Sequence, residues 1–172
     1  MTRLAPLTSK TILVTLLIAG TAMTLLSCST AKIWSFISQS TAQAVKSDVV
    51  FDIDNQLATD IYYTKEHAKG TVIFIYGGSW RTGSKDMYGF LADGLVKFGY
   101  NVVIPSYRLY PTAAYPEFIR DIETFMVWFD KNAEQLKLAT DKRFLMGHSA
   151  GAYNAAMYLT DSQYHKPFQY DA

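Results

Sequence analysis

Five consecutive residues, Gly147-His148-Ser149-Ala150-Gly151, spell a G-x-S-x-G pentapeptide. The apolar run Arg143-Phe144-Leu145-Met146 leads into it, and a helix-forming stretch leaves it. A serine held on a sharp turn between strand and helix presents its hydroxyl as a nucleophile. Glycines on either side let the backbone bend and a substrate approach, because they carry no Cβ. Such a serine needs a base to take its proton and an acid to orient the base, and both normally follow it in the chain. Only 21 residues follow Gly151 in this chain of 172.

The elements that must hold this turn can be read from the hydrophobic pattern. Val49-Val50-Phe51-Asp52-Ile53 and Ala58-Thr59-Asp60-Ile61-Tyr62-Tyr63 read as an antiparallel pair joined around Asp54-Asn55. Thr71-Val72-Ile73-Phe74-Ile75-Tyr76 is an unbroken β-branched and aromatic run, as expected of a strand buried on both faces. Residues 84–98 carry helical spacing and stop at Gly99, which predicts a C-terminal glycine cap. Residues 100–105 form a second buried strand, and residues 117–137 a second helix with acidic residues early and Lys137 late. A third buried strand over 142–146 and a third helix over 150–159 complete the pattern. Strands alternating with helices of this length predict an α/β fold with a mostly parallel sheet, flanking helices and right-handed crossovers.

Three segments together resemble the α/β-hydrolase fold, and within it the carboxylesterase and hormone-sensitive-lipase-like group. They are Tyr76-Gly77-Gly78-Ser79-Trp80, Pro105-Ser106-Tyr107-Arg108-Leu109 with Tyr115-Pro116 and Asp121 downstream, and the pentapeptide itself. The resemblance runs over roughly residues 49–159. It implies that Ser149 attacks an ester carbonyl to give an acyl-enzyme, and that the main-chain N–H groups of Gly78, Ser79 and Ala150 form the oxyanion hole. The family's first segment usually begins with histidine and carries a third glycine, so Tyr76 and Ser79 are departures. Serine keeps the backbone N–H, whereas tyrosine changes how the loop is pinned. The resemblance also makes Tyr107 and Arg108 scaffolding near the site, with Asp121 capping or pairing locally.

Other residues are weaker candidates. His148 precedes the nucleophile and should point away from its Oγ, as a packed support rather than the base. His67 falls in a turn on the far side of the sheet. Trp80 and Arg81 could touch substrate or brace the loop. Beyond the serine stand only Asp161, His165 and Asp171. If the helix continues from Ala150, Asp161 lies about 18 Å away at 1.5 Å per residue. The fold is therefore expected to be an N-terminal half, truncated after the elbow helix, leaving the 143–146 strand with an open edge.

The start of the chain reads as an address. Arg3 and Lys10 precede an uncharged, mostly apolar run over 11–26, followed by small residues. At roughly sixteen residues the run is shorter than the ~20 that a bilayer needs, which favours a secretory signal over a permanent membrane span. Leu25-Leu26-Ser27-Cys28 resembles a bacterial lipobox, with Cys28 as the lipid attachment point; ordinary cleavage after Ala31 is the alternative. This divides the chain into a signal over 1–27, a connector over 28–47 and a hydrolase domain over 48–172. Export across the inner membrane to a lipid-anchored place in a bacterial envelope follows.

Composition removes other classes. With 49% hydrophobic and 18% charged residues, the chain can build a core, and 12 tyrosines with 10 phenylalanines fit packing better than disorder. A net charge of +1 with no basic stripe argues against a nucleic-acid partner. No metal or cofactor is expected, and the oligomeric state is not legible. Cys28 is the only cysteine, so no intrachain disulfide can form. The expected function is hydrolysis of short or medium acyl esters in a full-length form, with little activity in this chain. The rivals are a non-catalytic envelope lipoprotein that uses the partial fold as a binding module, and a peptidase of the same fold.

Overall fold

The computed structural model describes residues 44–65 and 67–164. The signal assigned over 1–27 and the connector as far as residue 43, with Cys28, lie outside the described residues, as do His165 and Asp171. Five strands form one sheet in the order β1-β2-β4-β3-β5. They are β1 (Ala44–Asp52), β2 (Leu57–Tyr63), β3 (Thr71–Ile75), β4 (Asn101–Pro105) and β5 (Arg143–Gly147). β1 begins at Ala44, so the last residues assigned to the connector are already strand. β1, β2 and β4 pair antiparallel, whereas β3 runs parallel to both β4 and β5. In register, Ile73 faces Val103 on one side and Leu145 on the other, and Ile75 faces Gly147. The loops after Ile75 and Gly147 therefore leave the sheet side by side.

β3 and β4 are buried along their whole length, as their continuous β-branched runs require. β5 departs from the expectation of a third buried strand. It has β3 as its only neighbour among the described strands, and its alternate residues Phe144 and Met146 are 46% and 42% exposed. Because alternate residues share a face, one face of β5 lies open at the expected unpaired edge.

A 3-10 turn (Lys85–Tyr88) opens the first helical stretch and passes into α1 (Gly89–Lys97). Gly99, at φ 89°, ends it: Gly99 N–H donates to Val96 O and Tyr100 N–H to Leu95 O, the paired bonds of a Schellman cap. α2 (Glu117–Asn132) buries Phe118, Ile119, Ile122, Phe125, Met126 and Phe129 as one stripe. Regular helix ends at Asn132 rather than Lys137. Past it the bonds tighten, Lys137 N–H donating to Glu134 O, and Lys137 itself adopts φ 58°, which reverses the chain. Tyr63 holds this turn by donating its hydroxyl to Leu136 O at 2.9 Å. α3 (Ala150–Thr160) follows β5 directly and packs on β5, β3 and α2.

Candidate active site

The turn between β5 and α3 is as sharp as the pentapeptide predicts. Ser149 sits at φ 51°, ψ −121°, a conformation that costs a non-glycine residue of order 1–3 kcal/mol and persists only where its surroundings impose it. His148 N–H donates to Ile75 O at 3.1 Å, Gly151 N–H to His148 O at 2.9 Å, and Tyr153 N–H to Ser149 O at 3.1 Å. Both glycines are forced by close approach. A Cβ on Gly151 would lie 2.2 Å from Ile75 O and 2.3 Å from Tyr76 O, and one on Gly147 would lie 2.6 Å from the Ala152 Cα. The elbow is thus pressed onto the end of β3, and Ser149 is exposed there.

The loop leaving β3 turns beside it. Gly78, Ser79 and Trp80 take φ of 139°, 54° and 57°, and Arg81 N–H, Thr82 N–H and the Thr82 hydroxyl all donate to Gly78 O. A Cβ on Gly78 would lie 2.0 Å from Thr82 O, so this position admits only glycine. Ser79 tolerates the left-handed region at some cost in place of the glycine usual there. A Cβ on Gly77 would stand 3.0 Å from the Ser149 Cβ, which brings this loop directly against the serine. Among the described residues, the N–H groups of Gly78, Ser79 and Ala150 have no hydrogen-bond acceptor.

Tyr76, standing where the family usually has histidine, turns away from solvent and pairs with Tyr107. Their rings stack with centroids 4.6 Å apart; the Tyr107 hydroxyl donates to Tyr76 O at 2.9 Å, and Tyr107 N–H donates to the Tyr76 hydroxyl at 3.3 Å. The Tyr76 hydroxyl returns a donation to Tyr107 O at 3.4 Å. Burial pushes the Tyr76 phenol up to about 12 and raises that of Tyr107 as well, so both stay protonated donors across the ordinary pH range. Arg108 next door grips Asp121 of α2 through its guanidinium, 2.6 Å at the shortest, and its own N–H donates to the same carboxylate. Tyr107 and Arg108 are scaffolding by geometry, and Asp121 is the anchor that holds Arg108.

Trp80 donates its indole N–H to Asn154 Oδ1 at 2.9 Å, tying the loop to α3 one turn past the serine. Its ring lies 5.5 Å from that of Tyr153 and 6.2 Å from that of Phe118. Trp80 therefore braces the loop. Arg81 stacks on Tyr110 at 4.3 Å, and Tyr110 N–H donates to Trp80 O. His67 lies exposed before β3, at the opposite end of the sheet. Asp161 stands just past α3 and accepts from Gln163. Sequence reasoning missed Asn154, Lys85 and Tyr88. All three fall in runs read only for their helical spacing, residues 84–98 and 150–159, which gives a side chain no partner.

Comparison with known proteins fixes the lineage. The family model described as BD-FAE matches residues 59–170, from within β2 to beyond the elbow helix. The chain belongs to the BD-FAE family. Kynurenine formamidase of Danio rerio is 35% identical to this BD-FAE chain over 89 residues, covering 52% of the chain and 29% of the formamidase. Among solved structures, esterase B of Lactobacillus rhamnosis is similar at 22% identity and TM-score 0.69, over 86% of this chain and 50% of its own. A Pyrobaculum calidifontis esterase is 21% identical with TM-score 0.69, over 77% of this chain and 44% of its own. The BD-FAE chain shares the α/β-hydrolase fold of the solved esterases and spans about half their length. Among its described residues, no helix is long and apolar enough to cross a membrane and no cluster of acidic, histidine or cysteine side chains could hold a metal.

Proposed function

We propose that Ser149 is the nucleophile of a carboxylic ester hydrolase acting on short or medium acyl groups. The observation that carries this reading is the strained serine set against the Gly78 and Ser79 N–H groups, which with that of Ala150 have no acceptor among the described residues. Oγ attacks the ester carbonyl carbon and forms a new C–O bond. The carbonyl oxygen takes the negative charge and is met by the N–H groups of Gly78, Ser79 and Ala150. Collapse breaks the bond to the alcohol, which leaves with the proton that Oγ surrendered. Water then attacks the acyl-serine, releases the acid and restores the hydroxyl.

The proton needs a carrier, and none of the described residues is placed to be one. His148 engages Tyr88, His67 is at the far end of the sheet, and Asp161 binds Gln163. We infer that an acid and a histidine following the serine in the order usual for this fold, outside the described residues, would complete the proton relay. The absence of a base among the described residues equally favours the second reading, a lipid-anchored binding module. The likeness to a formamidase adds N-formyl arylamides to the substrates worth testing.

The test uses a p-nitrophenyl alkylphosphonate, the class of inhibitor found on esterase B. Ser149 should acquire one phosphonyl group by intact mass, with release of p-nitrophenolate, and Ser149→Ala should acquire none. Equal p-nitrophenyl acetate hydrolysis by the two proteins, together with no adduct, would leave the binding-module reading standing.

We further propose that the protein is exported and held at the bacterial envelope through Cys28, where the lipobox-like Leu25-Leu26-Ser27 stands before it. Intact mass of the membrane-extracted protein should exceed that of Cys28→Ser by acyl and diacylglycerol groups. Masses differing only by the substitution would remove the anchor.

A further inference from the structure

An oxyanion hole assembled from two chain segments works only if something sets the distance between them. Gly78 and Ser79 lie on the loop after β3, and Ala150 begins α3 after β5. The ladder between those strands ends at Ile75 opposite Gly147, with one further bond from His148 N–H to Ile75 O. Beyond it Gly77 still lies against His148 and Ser149, but among the described residues no further backbone hydrogen bond joins the two segments.

Tyr88 spans that gap. It is the last residue of the 3-10 turn, and its ring packs on Phe74 with centroids 5.0 Å apart. Its hydroxyl oxygen accepts the Gly77 N–H at 3.3 Å and lies 3.1 Å from His148 Nδ1. A backbone N–H can only donate, and a phenol has one proton to give. The bond to His148 then runs either way: with the ring's own proton on Nε2 the phenol donates to Nδ1, and with it on Nδ1 the phenol oxygen accepts a second bond.

We propose that Tyr88 is a positioning residue that yokes the oxyanion loop to the nucleophile elbow, with His148 as the elbow's handle. This rests on the reading of Ser149 as nucleophile and deepens it. The hydroxyl touches Gly77, next to the first oxyanion donor, and His148, next to the serine. Misplacing such donors by about an ångström costs large factors in rate. It also gives the residue before the serine a task that needs a ring nitrogen rather than a catalytic base.

The experiment combines two readouts on the full chain. Nitrogen-15 imidazole spectra report the tautomer of His148, distinguished from the other two histidines by its loss in His148→Gln. The second readout is the rate at which p-nitrophenyl phosphonate labels Ser149. Tyr88→Phe keeps the ring and removes the hydroxyl. It should shift the Nδ1 signal away from its hydrogen-bonded position and slow labelling roughly 10-fold or more. His148→Leu should slow labelling as much, and the double variant no further, whereas His148→Gln, which restores a hydrogen-bonding group, should recover most of the rate. Wild-type labelling and an unchanged imidazole signal in Tyr88→Phe would overturn the proposal, as would additive losses in the double variant. If the wild-type serine resists the phosphonate altogether, the nucleophile reading fails instead. The imidazole signal then decides alone: a shift in Tyr88→Phe upholds the yoke, and no shift removes it.

Discussion

Adding one methyl group at position 151 is expected to cost the protein the structure around Ser149. In Gly151→Ala the new carbon would arrive 2.2 Å from the carbonyl oxygen of Ile75 and 2.3 Å from that of Tyr76. Neither obstacle is the free end of a side chain. Both are backbone atoms at the end of β3, a strand buried throughout and paired on both sides. Relief must come from lifting α3 away from the sheet, which breaks the bond from His148 N–H to Ile75 O and the packing of Ala155 and Tyr158 beneath the helix. Overpacking usually costs 1–3 kcal/mol; against immovable backbone the cost should be about 3 kcal/mol or more, a fall in melting temperature on the order of 10 °C. Phosphonate labelling of Ser149 should fall with it, because the strained φ and ψ of the serine are imposed by that contact. Thermal melting by circular dichroism and adduct formation by intact mass check the two halves. A variant that melts and labels like the wild type would show that α3 does not press on β3 at Gly151.

The same contact explains why so much of the site was legible in sequence. Close approach and left-handed backbone demand glycine, so Gly78, Gly99, Gly147 and Gly151 mark their own geometry. Continuous β-branched runs mark β3 and β4, because a strand covered on both faces has no polar side to show. What stayed hidden depends on partners far apart in the chain. Tyr76 departs from the family pattern at a position the sequence flags, yet its solution, a reciprocal pairing with Tyr107 thirty-one residues on, has no local signature. Tyr88 and His148 are separated by 60 residues, and Trp80 and Asn154 by 74. The exposure of β5 was hidden for another reason. Phe144 and Met146 read as core because their types are apolar, but burial depends on what covers a face. The end of α2 was misread because Lys137 suits a helix C-terminus by its charge, yet it stands in a turn past the helix that Tyr63 holds.

Lys85→Met is expected to be the second large loss. Lys85 Nζ lies 2.8 Å from Asp48, 2.9 Å from Asp60 and 3.0 Å from Asp86. The three pairs differ in weight. Asp48 and Asp86 side chains are 76% and 71% exposed, where an ion pair contributes little, whereas Lys85 and Asp60 are 10% and 5% exposed. Asp60 also accepts the N–H of Asp48 at the bulge of β1, so one carboxylate holds two strands and the 3-10 turn together. Methionine matches the stem of lysine and leaves this buried carboxylate without its cation. Breaking a buried pair in this way costs about 3–5 kcal/mol.

The pH dependence has a definite sign. Burial opposes the charge on Lys85, but the hydrogen bonds to the three carboxylates outweigh it and raise its pKa. Its contribution is therefore complete below the unfolded value of about 10.4 and is lost only as pH rises through the folded one. The hydrogen bond from Lys85 lowers the Asp86 carboxyl, so that contribution is present above about 3.9 and is lost as pH falls through the folded value. Wild type should hold a plateau from about pH 5 to 10. The gap to Lys85→Met should narrow toward and below pH 4, where protonation of Asp86 removes the charge that its hydrogen bond with Lys85 holds. Urea midpoints at pH 4, 7 and 9 measure the gap. A constant gap across all three, or none at pH 7, would assign the turn's stability to packing alone. Because Tyr88 ends the turn that Lys85 begins, the variant should also loosen the contact of the phenol with Gly77 and His148. The disturbance should then reach Ser149 through the oxyanion loop, although no charge in the cluster touches the serine.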